Sequence, residues 1–266
     1  MKKLIKGIFA ALLMLLVVFI SKPTTIFADT ETLLKDKTNK LTLGDSLEES
    51  SIKIEESLAT GKSLTYKIEV PKGTLYIELN DKTSYTVEIY NSKNKVVKRI
   101  KSVDILGGAA HQVKYGVALS KGKYKIKITP KNKDSALNIN GTVAMIKNNT
   151  SRTIVVDKEY STAVTKGKTY KFKFELKGKT LFGILNKITS YDPNDFFRLD
   201  TEYIIVNSAG KTVRKIDRNN DTNSTTLNKG TYTIILKADD TGILSTKINE
   251  ASGEDMDRLF DFNFGN

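Results

Sequence analysis

Two segments in the second half of the chain carry oxygen-bearing side chains at spacings that suit a hard cation. The segment DRNNDTN places Asp217, Asn219, Asp221 and Asn223 at alternate positions, as in the first half of an EF-hand loop. Oxygen ligands at this spacing can converge on calcium. The sixth loop position lacks glycine, however, and Asn228 stands where the bidentate glutamate would be. The alternative interpretation is a polar turn between strands.

A second acidic segment, YDPNDFFRLDTE, lies in a stretch with no counterpart in the first half of the chain. It carries Asp192, Asp195, Asp200 and Glu202 within eleven residues. Carboxylates in such a loop are also potential calcium ligands, and a turn rich in Asp and Asn is again the alternative. We therefore expect calcium or no cofactor at all.

The residue types that most catalytic sites need are scarce. The chain has one histidine, His111, and no cysteine. A thiol nucleophile is thereby excluded, and any histidine-based triad or zinc site would depend on that one residue. The motifs HExxH and GxSxG and the Walker loop are absent. A carboxylate pair for glycoside hydrolysis leaves no local motif and stays open, but we expect a protein that is not an enzyme.

Lysines recur at alternate positions of two predicted strands. Such residues share one face of a strand, and this face is predicted to point to solvent. The stripe could bind an anionic polymer such as teichoic acid, an acidic glycan or extracellular DNA, although no nucleic-acid-binding motif is present. Alternatively, the lysines discourage edge-to-edge pairing of an exposed strand. The residues are Lys121, Lys123, Lys125, Lys127, Lys171 and Lys173.

The last segment, GEDMDRLFDFNFGN, alternates aromatic and polar side chains. Phe260, Phe262 and Phe264 would share one face of a strand, and an apolar face of this kind seldom stays in water. The segment either packs on its own domain as a final strand or adds as a strand to a partner. Self-association through this tail is therefore one of two interpretations.

The N-terminus has the three parts of a secretory signal peptide. Three lysines within the first six residues precede an apolar run over 8–20, and Ala28 is a small residue suited to cleavage. The run is short for a membrane span, and the chain has neither cysteine nor an LPxTG motif for covalent anchoring. We expect a signal peptide over 1–28 and a secreted protein of Gram-positive type, either released or held at the cell wall by non-covalent contacts. The alternative is an uncleaved N-terminal anchor.

Alternation of apolar and polar residues with a period of two dominates the rest of the chain and predicts strands. SLTYKIEV and GKYKIKIT are typical, and turn-forming segments such as PKG and NDKTS separate them. Before the first strand, Ser46 and Glu49 resemble a helix capping box. Ile52, Ile54 and Leu58 fit a strand equally well, and we prefer the strand.

The chain repeats itself. GKSLTYKIEVPKGTLYIELN aligns without a gap on GKTYKFKFELKGKTLFGILN, YNSKNKVVKRI on VNSAGKTVRKI, and LSKGKYKIKIT on LNKGTYTIILK. Length differences fall between these matches, which indicates duplication of a domain of about 100 residues. We predict an all-β protein with two tandem jelly-roll-like antiparallel β-sandwich domains over 51–147 and 148–249. A polar acidic leader (29–50) would precede them, and an acidic-aromatic tail (250–266) would follow.

These repeats resemble the bacterial pre-peptidase C-terminal domain, a family that includes the collagen-binding modules of clostridial collagenases. The strand pattern GxLxIxL and the segments KGKY and KGTY carry the resemblance, with a Gly-x-Tyr corner at Gly122 and Tyr124 and again at Gly230 and Tyr232. The resemblance implies a jelly-roll-like sandwich, often appended to secreted proteases, that binds calcium or an extracellular polymer. By this analogy the acidic segment DSLEES is a third calcium candidate. The chain departs from the family in having no protease domain and few acids before the middle strand of the first copy.

From these observations we expect a non-catalytic protein that binds at or outside the cell surface. The formal net charge is +13, and loss of the four lysines of the signal peptide leaves +9 on the mature chain, which suits an anionic wall polymer. The family resemblance instead implies a matrix protein such as collagen. A structural subunit that pairs through its C-terminal strand is the alternative function. An accessory or inhibitor of a secreted protease is the third.

Overall fold

The computed structural model describes residues 32–105, 107–192, 202–216 and 224–251, which belong to one compact unit. The described backbone is mainly β-strand and contains a single four-residue helix. Four sheets form two sandwiches that follow one another along the chain. The predicted class, two tandem jelly-roll-like antiparallel β-sandwiches, is confirmed. No helix in the described ranges has the length and apolar character needed to cross a membrane.

In the part of the chain that the structure describes, the first sandwich contains ten strands and the helix. One sheet has the strand order β1-β3-β9-β5-β6 and the other β2-β10-β4-β8-β7, and only the pairing of β1 with β3 is parallel. The elements are β1 Thr38–Lys40, α1 Leu47–Ser50, β2 Ser51–Leu58, β3 Leu64–Val70, β4 Gly73–Asp81, β5 Tyr85–Asn91, β6 Val96–Lys101, β7 Val103–Asp104, β8 His111–Leu119, β9 Gly122–Pro130 and β10 Leu137–Ile146.

The second sandwich repeats this plan. Its sheets have the orders β11-β13-β18-β15-β16 and β12-β19-β14-β17, and here only the pairing of β11 with β13 is parallel. The strands are β11 Ser151–Thr153, β12 Glu159–Val164, β13 Thr169–Leu176, β14 Thr180–Ser190, β15 Tyr203–Asn207, β16 Thr212–Ile216, β17 Ser224–Leu227, β18 Gly230–Lys237 and β19 Gly242–Ala251.

Part of the segment assigned to the leader, from Thr32 to Ser50, contributes to the first sandwich. Strand β1 adds a parallel edge to the first sheet, and Leu33 and Leu41 are buried in the core. The second copy does the same, since β11 pairs in parallel with β13 and Ile154 is buried after it. The duplicated unit therefore includes the short strand that precedes each sandwich.

The segment before β2 forms both of the structures that its sequence suggested. Helix α1 begins after Ser46, whose Oγ accepts a hydrogen bond from the Glu49 N–H at 3.1 Å, as a helix cap does. Strand β2 follows directly and buries Ile54. The predicted strand is confirmed, and the helix occupies only the four residues in front of it.

Each sandwich encloses its own apolar core, built from the inward-facing residues of both sheets. A third, smaller cluster joins the two sandwiches: Tyr76, Ala144 and Ile146 of the first pack with Ile243 of the second, and Tyr191 packs against them. Because apolar burial is the main favourable term in such contacts, this cluster holds the two sandwiches together.

The Gly-x-Tyr corner has a structural role in both copies. The Tyr124 hydroxyl donates a hydrogen bond to the backbone oxygen four residues earlier at 3.0 Å, and Tyr232 does the same at 2.9 Å. Each ring lies against the glycine two residues before it, at Gly122 and Gly230. These contacts close the turns that lead into β9 and β18. The Gly-x-Tyr corner therefore stabilises the fold in both copies.

Candidate functional site

The lysine stripe predicted for the first repeat lies on the solvent side of β9. Lys123, Lys125 and Lys127 alternate with the half-buried Tyr124 and with Ile126 and Ile128, which are fully buried in the core. Successive side chains of a strand point to opposite faces. Lys121 is exposed in the turn just before the strand. The fold therefore presents three of the four lysines in a line on one face.

Strand β9 occupies the centre of its sheet, not an edge. It is hydrogen-bonded to β3 on one side and to β5 on the other. Its lysines consequently have no unpaired backbone to protect, and the interpretation that they discourage edge-to-edge pairing is wrong for this strand. Strand β6, which carries the basic end of the repeated segment YNSKNKVVKRI, is an edge strand of the sheet, and so is β16 in the second copy.

Two lysines stand directly opposite each other at the middle of this sheet. Lys67 of β3 is the cross-strand partner of Lys125. Lys123, two residues before Lys125 on the same face of β9, stands opposite Glu69. Like charges in directly opposed positions of an antiparallel pair are destabilising. We refer to Lys67, Lys123, Lys125 and Lys127, on the outer side of this sheet, as the lysine face.

A shallow groove of about 200 Å³ crosses the lysine face. Lys67, Lys123 and Lys125 line it together with Asn91 and Ser92 from the end of β5 and the following turn. The remaining lining groups are Thr38, Ile68 and Tyr124. Three ammonium groups beside an amide and a hydroxyl are donors that suit phosphate or carboxylate oxygens.

Two carboxylates lie on the same side of this sheet: Glu69 is the cross-strand partner of Lys123, and Glu88 is the partner of Lys127. Glu88 accepts hydrogen bonds from the Tyr90 hydroxyl at 2.7 Å and from Arg99 Nε at 2.7 Å. The Tyr90 hydrogen bond first, and then Arg99 and the nearby Lys127, hold the pKa of Glu88 below its usual value. Lys123 and Lys127 thus each have a carboxylate as a cross-strand partner, whereas Lys67 and Lys125 in the groove stand opposite each other.

Lys171 and Lys173 lie on β13, which is the counterpart of β3 and not of β9. Both are exposed on the outer side of the corresponding sheet of the second sandwich. The positions of the second copy that match the lysines of β9 hold Thr231, Thr233 and Ile235 on β18. The duplication thus kept the sheet and changed the chemistry of its outer face.

Most of the proposed calcium ligands lie outside the described residues. Asp192 is described, is exposed, and its backbone N–H donates to Ser190 Oγ at 3.0 Å. Among the described residues no group of three or more histidine, cysteine, aspartate or glutamate side chains is placed to hold a metal ion. The candidates outside the described ranges are Asp195, Asp200, Asp217, Asn219, Asp221 and Asn223, together with the tail residues Phe260, Phe262 and Phe264.

His111 lies at the start of β8, half-buried, opposite Asp81 and Asp104 in the strand register. Asp81 has a structural role, because its carboxylate accepts hydrogen bonds from the backbone N–H groups of Thr83 and Asn138. These bonds join the turn after β4 to the start of β10. The carboxylate opposite His111 therefore stabilises a turn.

Comparisons with known proteins were made at three levels. No family model and no curated protein matches the sequence. A structure from Eubacterium rectale, of a protein assigned as secreted, is 12% identical over 85% of this chain and 83% of that chain, with a TM-score of 0.34. The tandem CBM22 domains of Paenibacillus barcinonensis Xyn10C are 12% identical over 74% and 79%, with a TM-score of 0.26. The CUB1-EGF-CUB2 domain of human MASP-1/3 is 9% identical over 74% and 99%, with a TM-score of 0.24. At such values these similarities support no inference about function.

Three of the polar residues in the groove, Lys67, Asn91 and Ser92, were not predicted from the sequence. Lys67 lies on β3, where the alternation of TYKIE already places it on the outer side. Its position opposite Lys125 depends on the register between two strands far apart in the chain. Asn91 reaches the groove because β5 pairs with the other side of β9. The sequence around Lys67 and around Asn91 predicts a strand in each case. It does not predict that these two strands flank β9.

Proposed function

We propose that the protein is a secreted, non-catalytic binding protein that holds an anionic extracellular polymer on the lysine face. The direct opposition of Lys67 and Lys125 at the centre of the sheet carries the proposal. Such a pair costs stability in the free protein. A bound row of phosphate or carboxylate groups would offset that cost and gain from the positive potential of the face.

The layout of the lysine face favours a linear polymer over a compact anion. Alternate residues of a strand are separated by about 6.8 Å, and neighbouring strands by about 4.8 Å. Lys123, Lys125 and Lys127 therefore form a line, and Lys67 stands beside its middle. A chain of regularly spaced negative charges can contact several of these lysines at once, whereas a single small anion cannot.

Export and the absence of catalysis belong to the same proposal. A signal peptide over 1–28 would deliver the mature chain to the outside of the cell, where wall polymers carry negative charge. The chain has one histidine and no cysteine, and His111 stands beside a carboxylate that supports a turn. Calcium, which the family resemblance implies, would act at the acidic loops of the second copy and not at the lysine face.

Removal of three charges from the groove is expected to weaken polymer binding by about 10- to 100-fold at low salt, since each exposed cation contributes roughly 0.5–1 kcal/mol. The variant is Lys67→Gln, Lys123→Gln and Lys125→Gln in the mature chain, residues 29–266. Retention on purified cell wall and on isolated teichoic acid is measured over a salt series. The dependence of affinity on salt should also become shallower, because fewer counterions are released.

The matched control carries the same loss of charge elsewhere on the first sandwich. Lys62, Lys131 and Lys133 are exposed in turns outside the lysine face, and their replacement by glutamine should leave retention within about twofold of the parent, since rim charges away from a contact matter little. Equal losses in the two triple variants would mean that net charge alone drives retention, and the proposal would be abandoned. Calcium-dependent retention on collagen at physiological salt, unaffected by either variant, would favour a matrix-protein ligand.

A further inference from the structure

The duplication allows the outer faces of the two sandwiches to be compared position by position. In the first sandwich, Thr65, Lys127, Glu88 and Arg99 form a row across four strands. The matching row of the second sandwich is Lys171, Ile235, Ile204 and Lys215. A charged centre has thus been replaced by two neighbouring isoleucines between two lysines. We call Ile204 and Ile235 the isoleucine row, which Lys171 and Lys215 flank.

The isoleucine row is open to solvent and lies between two grooves. Ile204 and Ile235 are only half-buried. A groove of about 730 Å³ on one side includes Lys166, Lys215 and Lys237, with Glu202 and Asp239 as its acidic groups. A second groove, of about 530 Å³, includes Lys171, Lys173 and Val206. Ile235 lines both, so the face combines an apolar floor with basic walls.

Such a face is complementary to a strand whose side chains alternate between apolar and acidic. Apolar side chains would cover the isoleucines, a contact driven by burial, while carboxylates would meet the lysines on either side. The lysine face of the first sandwich lacks this floor, because Glu88 and Lys127 occupy the same positions there. The two faces therefore select different ligands.

The chain itself contains a segment with this chemistry. Residues 252–266, SGEDMDRLFDFNFGN, have four acidic residues and one basic residue, and their last part alternates phenylalanine with aspartate or asparagine. The charge is opposite to that of the isoleucine row and its lysines. If extended, this part would place three phenylalanines on one side, facing the apolar floor that Ile204 and Ile235 form on two neighbouring strands.

The tail also leaves the fold at a suitable place. Strand β19 ends at Ala251, which pairs with Leu181 near the start of β14. That start follows closely on the end of β13 at Leu176, where Leu176 pairs with Gly230 and the second groove begins at Thr231. Fifteen residues span at most about 50 Å when extended, and packed sheets are only about 10 Å apart. The tail is therefore long enough to pass round the sandwich to its outer face.

We propose that the isoleucine row is a binding site for extended peptides that alternate aromatic and acidic residues, and that residues 252–266 of the same chain occupy it. The site is independent of the polymer-binding face of the first sandwich. Its occupancy by the tail makes it an internally blocked site, which an external peptide of the same character can enter only by displacing the tail.

The test uses the mature chain, residues 29–266, with a fluorophore on a single cysteine introduced by Asn266→Cys, since the chain has no other cysteine. The anisotropy of the probe reports whether the tail is held on the fold. The groove variant is Ile204→Glu with Ile235→Lys, which reproduces the pair that the same backbone positions carry in the first sandwich. The fold is therefore expected to tolerate it, and thermal unfolding checks that it does.

Docking is expected to weaken about tenfold or more in the groove variant, as loss of one good apolar contact implies, and the probe anisotropy should fall accordingly. Excess free peptide 252–266, or high salt, should lower it in the parent as well. The matched control, Val96→Glu with Val97→Lys, makes the same neutral change at exposed valines of β6 and should leave the anisotropy unchanged. Equal anisotropy in parent and groove variant would overturn the proposal. Anisotropy that rises with protein concentration would assign the groove to the tail of a second copy and overturn the intramolecular assignment.

Discussion

Replacement of Tyr191 by alanine is expected to lower the free energy of unfolding by about 2–4 kcal/mol and to uncouple the two sandwiches. Tyr191 follows β14 of the second sandwich, and its ring lies 5.6 Å from that of Tyr115 and 6.2 Å from that of Tyr76, both in the first. A Cβ atom at Gly116 would overlap the Tyr191 hydroxyl. The glycine is therefore what allows this ring to reach the first sandwich.

The measurement is calorimetric unfolding of the mature chain. At about 2–4 °C for each kcal/mol in a chain of this size, the Tyr191→Ala variant should melt roughly 4–16 °C lower. It should also show two transitions, because the cores of the sandwiches are separate. A single transition at the parental temperature would show that the aromatic contact contributes nothing to coupling.

Tyr191→Phe provides the control for this prediction. The Tyr191 hydroxyl is buried and has no hydrogen-bond partner among the described residues, and burial in this setting raises the pKa of the phenol far above its usual value. Removing a buried, unpaired hydroxyl should be neutral or stabilising. The ring, and not the hydroxyl, would then be the source of the coupling.

Replacement of Asp45 by asparagine is expected to cost about 2–3 kcal/mol at neutral pH, as loss of charged hydrogen bonds does. The Asp45 carboxylate accepts from Lys147 at 2.7 Å, from Lys158 at 2.9 Å and from Arg152. The Asp45 backbone oxygen also accepts from the Ser161 N–H at 2.7 Å. Asp45, which precedes β2 of the first sandwich, thus binds three cations that lie between β10 and β12. These contacts join the first sandwich to the second.

The contribution of Asp45 should depend on pH with a definite sign. The hydrogen bonds from Lys147 and Lys158 are the largest causes that hold the pKa of Asp45 far below its usual value in the folded protein. A group with a lowered pKa stabilises the fold above its unfolded value, about 3.9 for aspartate, and loses that contribution as the pH falls. The difference in stability between parent and Asp45→Asn should therefore be constant from pH 5 to 8 and shrink below about pH 4.

Glu56→Gln is the matched control, since it makes the same change from carboxylate to amide at a simple surface pair. Glu56 lies 2.6 Å from Lys35, whose side chain is largely exposed, and such pairs contribute at most about 1 kcal/mol. Urea unfolding of the three proteins over this pH range measures the effect. A loss in Asp45→Asn no larger than in Glu56→Gln would contradict the role of Asp45 as the point that joins the sandwiches.

The sequence by itself determined the class of fold and its duplication. The alternation of polar and apolar residues, as from Lys123 to Lys127, specifies a strand with one solvent-exposed face. Successive side chains of a strand point to opposite sides, independently of the rest of the chain. The aligned sequence segments located two copies of one domain. The structure confirms two sandwiches whose matching strands follow the same order. The strand pattern is contained within a few neighbouring residues, and the duplication follows from comparing such segments along the chain.

Only the tertiary structure decided which of these strands lie side by side. It placed β9 at the centre of its sheet and Lys67 opposite Lys125, and it placed Ile204 beside Ile235 in the second copy. It also showed that Asp45 of the leader reaches the second sandwich. Strand pairing joins residues far apart in the chain, and its register is set by the burial of whole faces. No local pattern could reveal which charges and apolar side chains would meet.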